Sequence, residues 1–196
     1  MNQHRLFIAV NLPERIKNRL DYYQNAWPDL PAKWTKPMNL HITLLFLGNI
    51  VEKDIPAVLD TVECVSKKYP PAKLEFEKIT YGPPKKIPPR MVWITLKKSD
   101  ILAKMKEEIE QLLIAQNIRF QIEDREFSPH ITFARLKSFE LRQMDPEEVP
   151  QIEEEINLNF EVKAIDLMES RMKKFGPEYD VLESCELKGE ELEIEN

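Results

Sequence analysis

An internal repeat constrains the fold of this chain more than any other feature of its sequence. The stretch HITLLFLG begins at His41 and the stretch HITFARLK begins at His130, and together they contain two of the three histidines. Each stretch follows an apolar, strand-like run, an amphipathic helical pattern and a connection that contains proline. We therefore expect two related lobes, each of which is a small antiparallel sheet backed by helices.

Runs of apolar and β-branched residues predict the strands 5–11, 41–47, 74–81, 91–97, 118–122, 130–136, 160–170 and 179–187. Apolar spacings of three and four predict helices after Pro13, over residues 54–68, and after Ser99, which is expected to cap its helix. Gly48 is expected to end the second strand, and a turn is expected over 174–177. The acidic segment 143–157 is expected to be helical or irregular.

The expected class is an α+β fold with a bilobal shape. Two pseudo-twofold-related antiparallel sheets would face a central cleft, with the helices packed on the outside. Residues 1–187 would form this single domain, and residues 188–196 would form an acidic C-terminal tail. The same order of strands and helices is also compatible with a parallel βαβ sheet, although no glycine-rich phosphate loop follows any strand.

Composition excludes several classes of protein. The net charge of −6 argues against coating nucleic acid through a broad basic surface, so a phosphate site must be a confined pocket. No apolar run approaches the roughly 18 residues that span a bilayer. Cys64 and Cys185 lack the spacing of a disulfide framework or a zinc site. The chain is expected to be a cytoplasmic monomer that needs no cofactor and no membrane.

The repeated motif combines an imidazole with a hydroxyl. Residues two apart in a strand share a face, so His41 projects with Thr43. His130 projects with Thr132 in the same way. If the two lobes face one cleft, one neutral imidazole can take a proton from a nucleophile and one imidazolium can protonate a leaving oxygen. A single motif of this kind is more often structural, but two copies favour a catalytic pair; metal binding by both histidines and a carboxylate stays open.

The paired His-x-Thr motifs resemble the signature of the two-histidine phosphoesterase superfamily. The surrounding sequence is similar to its RNA 2′,3′-cyclic phosphodiesterase branch, also called the 2′-5′ RNA ligase family. The similar stretches are RLFIAVNLP, WTKPMNLHITLLFLG, FSPHITFARL and DLMESRMKKFGPEYDVL. The resemblance therefore runs from about Arg5 to Leu187 and leaves out the tail and the acidic insert near 145–155.

The resemblance implies metal-independent hydrolysis of 2′,3′-cyclic phosphates, on RNA 3′ ends or on nucleotides, to 2′-phosphates. It also allows weak, reversible 2′-5′ RNA ligation by the same site. The family pattern makes His41 the proton donor to the departing 3′ oxygen and His130 the proton acceptor that activates water. It assigns Thr43 and Thr132 to the phosphoryl oxygens.

The resemblance further implies that the third residue after each threonine, Phe46 and Arg135, faces the substrate. Phe46 could instead be a core aromatic residue, and Arg135 could form a surface ion pair. Lys85, Lys86 and Arg90 could steer an RNA 3′ end by charge or could simply be solvated loop residues. Arg171 could border the cleft or pair with Glu169. Two alternative functions stay open: a nucleotide- or RNA-binding module of the same fold without turnover, and a phosphodiesterase for another cyclic or 2′-5′ linked nucleotide.

Overall fold

The computed structural model describes residues 2–122, 126–174 and 176–189. Its helices and strands follow one another in the order β1 (Gln3–Asn11), α1 (Glu14–Tyr23), β2 (Ala32–Trp34), β3 (His41–Val51), α2 (Ile55–Lys68), β4 (Ala72–Gly82), β5 (Met91–Leu96), α3 (Asp100–Ala115), β6 (His130–Leu136), α4 (Ser138–Gln143), β7 (Glu153–Glu155), β8 (Asn159–Val162), β9 (Ala164–Lys173) and β10 (Gly176–Glu186). The predicted acidic tail from residue 190 onward lies outside the described residues.

The described strands form one ten-stranded sheet with the order β10-β9-β1-β3-β6-β5-β4-β7, in which β2 also pairs with β6 and β8 with β4. Every strand pair among the described residues is antiparallel, which rules out the parallel βαβ alternative. The order is nearly symmetric about the junction of β3 and β6. Moving outward from that junction, β3, β1 and β9 on one side correspond to β6, β5 and β4 on the other. The expected α+β class with two related antiparallel halves is confirmed, and the halves join where β3 meets β6.

Helices cover one face of the sheet. On β1, Leu6, Ile8 and Val10 are buried with apolar residues of α1, α2 and α3 in one hydrophobic cluster. The residues between them, Phe7 and Ala9, belong to a separate small cluster on the opposite face. We call that opposite face, which also carries both histidine motifs, the cleft face. Strand alternation thus sends one set of β1 side chains into the core and the other into the cleft.

Local signals placed α1, α2 and α3 well, whereas the short helix α4 was not predicted. Ser99 caps α3, because its hydroxyl oxygen accepts a hydrogen bond from the backbone N–H of Leu102 at 3.4 Å. The helix that was predicted after Pro13 begins at Glu14 and buries Ile16 and Leu20. On α3, the Ser99 cap gives a partner to a backbone N–H that the first helical turn would otherwise leave without one.

Several sequence predictions are wrong in detail. Gly48 does not end its strand: β3 continues to Val51, and Gly48 adopts a φ of +74° at a bulge, a conformation that costs glycine little. Residues 118–122 form no strand. The acidic segment 143–157 contains the short strand β7, which pairs with β4. The predicted strand 160–170 is two strands, because β8 pairs with β4 whereas β9 pairs with β1 and β10.

Candidate active site

The two histidine motifs lie on adjacent strands in the middle of the sheet. Ile42 of β3 pairs with Ile131 of β6 in an antiparallel register. His41 therefore lies across from Thr132, and the other histidine and threonine face each other in the same way. The two isoleucines are buried in the core, whereas all four motif side chains are partly exposed on the cleft face. The structure thus brings the four predicted site residues together.

A β-bulge follows each motif and changes which side chains face the cleft. The register of β3 skips one residue after Thr43, and the register of β6 skips one after Thr132. The burial patterns of the two segments are identical, with two consecutive buried residues after each threonine. A bulge inserts one extra residue and so reverses the alternation beyond it. Phe46 and Arg135 therefore return to the cleft face.

Each imidazole is held by the backbone carbonyl two residues before it. The Nδ1 atom of His41 lies 2.8 Å from the carbonyl oxygen of Asn39, and that of His130 lies 2.8 Å from the carbonyl oxygen of Ser128. A carbonyl oxygen only accepts, so each Nδ1 carries the hydrogen and donates it. Nε2 is then the nitrogen that gains or loses a proton. These two hydrogen bonds are alike and do not separate an acid from a base.

The aromatic surroundings of the two imidazoles differ. The ring of His130 stacks on Trp93, with a centroid distance of 3.8 Å and an interplanar angle of 23°. The ring of His41 packs against Phe7 at 5.0 Å and against the edge of Tyr179 at 5.1 Å. Both rings are therefore fixed in orientation, but by different neighbours.

Burial lowers the pKa of His41 from 6.5 to about 4. The hydrogen bond to the Asn39 carbonyl opposes this shift, and the positive charges of Lys17 and His130 add to it. Lys17 belongs to α1, which packs against the short turn 37–39 that precedes β3. At neutral pH the imidazole of His41 is consequently uncharged before any ligand enters the cleft.

A mostly apolar cavity of about 240 Å³ opens beside His130. Its lining combines the first motif strand with the proline-rich loop and the segment before β6, namely Thr43, Leu44, Phe46, Pro83, Pro84, Trp93, Glu126, Phe127, Ser128 and His130. Aromatic and proline rings dominate this lining. Such a surface suits a flat, aromatic group better than a charged one.

The structure resolves several alternatives left by the sequence. Phe46 is 41% exposed and lines the cavity, so it is not a core aromatic residue. Arg135 is exposed, and within the described ranges no carboxylate pairs with it. Arg171 donates to the Glu169 carboxylate at 2.7 Å, as the ion-pair alternative expected. The remaining basic candidates, Lys85, Lys86 and Arg90, are all exposed.

The structure also bears on metals and membranes. In the described part of the chain, no three His, Cys, Asp or Glu side chains are grouped so that they could hold a metal ion. No described helix is both long enough and apolar enough to cross a membrane.

Two neighbours of the histidines were missed at the level of sequence. Trp93 stands between the core residues Val92 and Ile94, so alternation along β5 could have placed it on the opposite face. Tyr179 carries no comparable local signal. It reaches His41 only because the hairpin of β9 and β10 folds back beside β1.

Comparison with known proteins agrees with the two-half architecture. A model of the LigT-like phosphoesterase family matches residues 8–93 and again residues 94–179. A Thermus thermophilus protein named RNA 2′,3′-cyclic phosphodiesterase is 31% identical over 196 residues, covering 95% of this chain and 91% of that protein.

Two solved structures show the same fold. The crystal structure of TT0787 of Thermus thermophilus has a TM-score of 0.81 and 30% identity, covering 95% of this chain and all of that one. The crystal structure of E. coli LigT complexed with 3′-AMP has a TM-score of 0.76 and 22% identity, covering 95% and 99% of the two chains.

Proposed function

The chain belongs to the LigT-like phosphoesterase family, and we propose that it is a metal-independent RNA 2′,3′-cyclic 3′-phosphodiesterase that produces 2′-phosphates. The observation that carries this proposal is the pair of imidazoles on adjacent strands, each with a threonine hydroxyl across from it. A binding module does not need a matched proton donor and acceptor. The name of the Thermus thermophilus relative supports the same activity and substrate class.

In the proposed reaction, water attacks phosphorus in line with the departing 3′ oxygen. Nε2 of His130 takes the proton of the attacking water, and Nε2–H of His41 gives a proton to the 3′ oxygen as its bond to phosphorus breaks. The product keeps the phosphate on the 2′ oxygen and has a free 3′ hydroxyl. The assignment of donor and acceptor rests on the family resemblance, since the Nδ1 contacts of the two rings are equivalent.

The threonine hydroxyls stabilise the phosphoryl oxygens. In the described part of the chain, neither the Thr43 nor the Thr132 hydroxyl is taken up by another protein group. Each can therefore donate a hydrogen bond to a non-bridging oxygen, where negative charge must be stabilised in the transition state. Two preorganised donors at this position supply part of the stabilisation that a metal ion gives in other phosphoesterases.

Substrate binding allows His41 to take up from solvent the proton that it later donates. With a pKa of about 4, its imidazole is mostly neutral in the unliganded protein at pH 7. An anionic phosphate beside the ring favours the imidazolium and raises the pKa again. The donor is consequently charged mainly when the substrate is in place.

The cavity beside His130 provides the nucleobase site. Phe46 offers an exposed ring for stacking, and base–aromatic stacking is worth about 1–3 kcal/mol. Arg135 offers a guanidinium for a phosphate oxygen. The E. coli LigT structure with 3′-AMP shows that a protein of this fold holds a purine nucleotide.

Weak ligation follows from reversibility of the same chemistry. A 5′ hydroxyl of a second RNA can replace water as nucleophile only when the first RNA ends in the cyclic ester. We further propose that one chain is sufficient, as a single domain over 1–187 and as a monomer, because both halves of the site come from the same polypeptide.

The test is incubation with adenosine 2′,3′-cyclic phosphate in excess EDTA, followed by chromatographic identification of the product isomer. The expected product is adenosine 2′-phosphate. His41→Ala and His130→Ala should each lower kcat by about 10²–10⁴-fold. His4→Ala is the matched control, because His4 bonds to Glu169 rather than lying in either motif. Activity that EDTA abolishes and added metal restores, or a 3′-phosphate product, would refute the proposal.

A further inference from the structure

We propose that Arg5, Tyr179 and Arg135 form a second phosphate subsite, which binds the phosphate on the 5′ side of the terminal nucleotide. This inference rests on the proposed function and names the part of the substrate that lies beyond the reacting cyclic ester. The phosphate can belong to an RNA phosphodiester or to the 5′-phosphate of a mononucleotide.

Strand register places Arg5 and Tyr179 in one row on the cleft face. Arg5 lies on the same face of β1 as Phe7, two residues away. Leu6 pairs with Glu169 of β9, so Arg5 lies across from Ser170 in the continued register. Ser170 in turn pairs with Tyr179 of β10. Side chains at paired positions of neighbouring strands point to the same face, so the guanidinium and the phenol border the same space.

The side chain of Tyr179 is held on the cleft face by aromatic contacts. Its ring is fixed by edge contacts with Phe7 at 5.2 Å and with His41 at 5.1 Å. Within the described ranges no group hydrogen-bonds to the hydroxyl. Burial raises the pKa of Tyr179, and the positive charges of Arg135 and Arg5 oppose that rise. The phenol therefore stays a hydrogen-bond donor, with a guanidinium from each half of the sheet near it.

The β9–β10 hairpin brings the two halves together at this place. Lys33 of β2 pairs with Arg135 of β6. A Cβ atom on Gly176, at the start of β10, would lie only 3.2 Å from Nζ of Lys33. The strand that carries Tyr179 thus begins against the strand pair that carries Arg135.

The charges of the cluster match an anion. In residues 2–122, 126–174 and 176–189, neither Arg5 nor Arg135 has a carboxylate partner. Asp180 follows Tyr179 but points to the other face, where it pairs with Arg171. The two guanidinium groups offer donors only and carry positive charge, and the phenol adds one O–H donor, which together suit phosphate oxygens.

Arg5 is the member of the cluster that lies apart from the reacting phosphate. Arg135 shares β6 with His130, and the Tyr179 ring contacts His41, whereas Arg5 of β1 pairs with Asn49, at the far end of β3 from His41. The nucleobase cavity lies on the opposite side, against Trp93 of β5 and the proline-rich loop. An RNA whose last base fills that cavity can therefore extend its 5′ side toward β1 and β10.

The test compares three substrates: adenosine 2′,3′-cyclic phosphate, its 5′-phosphorylated form, and the dinucleotide ApA with the same cyclic end. In Arg5→Gln, the ratio of kcat/KM for ApA to that for unphosphorylated adenosine 2′,3′-cyclic phosphate should fall about tenfold, as expected for one charge-assisted hydrogen bond. Arg19→Gln, an equal charge change on the exposed side of α1, should leave the ratio at the wild-type value. A parallel loss with the 5′-phosphorylated mononucleotide means that any phosphate fills the subsite, and a loss with ApA alone means that a phosphodiester is required.

Equal losses of kcat/KM on all three substrates in Arg5→Gln, or no loss on any, would overturn the subsite. Tyr179→Phe keeps the ring against His41 and removes only the hydroxyl, so it should lower the same ratio. If it instead lowers all substrates alike, the hydroxyl serves the reacting phosphate and its place in the subsite is wrong.

Calorimetric titration with adenosine 2′-phosphate and with ApA bearing a terminal 2′-phosphate repeats the comparison without turnover. A wild-type protein that binds both ligands but hydrolyses none of the substrates would refute the proposed function. The ratio of the binding constant for the ApA ligand to that for adenosine 2′-phosphate would still test the subsite. If this ratio were the same in Arg5→Gln as in wild type, the subsite would be refuted.

Discussion

The lowered pKa of His41 makes a quantitative prediction about stability. In the unfolded chain its imidazole takes up a proton near pH 6.5, but in the folded protein it does so only near pH 4. Between these values the unfolded state binds more protons, so acidification favours unfolding. The stability that the folded protein has because His41 is neutral is fully present above pH 6.5. It is lost as the pH falls toward 4. The gap in pKa corresponds to at most about 3.5 kcal/mol of unfolding free energy, since each unit is worth about 1.4 kcal/mol.

The assay is urea unfolding of wild type and His41→Gln at a series of pH values from 7.5 to 4.5. Glutamine cannot be protonated, and the carboxylates that titrate in the same range are common to both proteins. The stability of wild type relative to the variant should therefore fall by about 2 kcal/mol or more over this range. Curves that stay parallel would refute the reasoning that burial keeps His41 neutral. Saturating adenosine 2′-phosphate should reduce the difference, because the bound anion favours the imidazolium.

Two further predictions concern catalysis. A substrate whose departing 3′ atom is sulfur needs little protonation, so it should rescue His41→Ala at least about tenfold more than His130→Ala; preferential rescue of the second variant in the same kinetic assay would reverse the proposed roles. Gly82→Ala should lower kcat/KM for the cyclic nucleotide and cost about 1–3 kcal/mol in urea unfolding, because a Cβ there would overlap the indole of Trp93, which stacks on His130. Wild-type kcat/KM in that variant would show that the stacking contact does not matter for turnover.

Much of the site could be predicted because its information is local. Period-two alternation placed His41 with Thr43 on one face, and the second copy of the motif repeated the arrangement. The same alternation would have put Phe46 on the core face, since it stands an odd number of residues from Thr43. Only the family resemblance placed Phe46 toward the substrate, and the structure gives the physical reason, which is the bulge.

Errors in the fold prediction arose where tertiary pairing overrides local preference. The run 118–122 has strand-like residues but no partner strand in the described part of the chain, and a strand needs a partner to satisfy its backbone groups. Conversely, the acidic residues 153–155 have little strand preference, yet they extend along β4 because that edge was open to pairing. Gly48 looked like a strand end because sequence cannot separate a turn glycine from a bulge glycine.

The sequence by itself determined the repeated strand–helix units, the apolar faces of the helices and the pairing of one imidazole with one hydroxyl in each half. These properties depend on side-chain periodicity, which any short segment carries within itself. Tertiary structure alone decided that Ile42 pairs with Ile131, that Trp93 stacks on His130 and that Tyr179 reaches His41. Each of these contacts joins residues far apart in the chain, and their geometry depends on strand register, bulges and burial in the whole folded sheet.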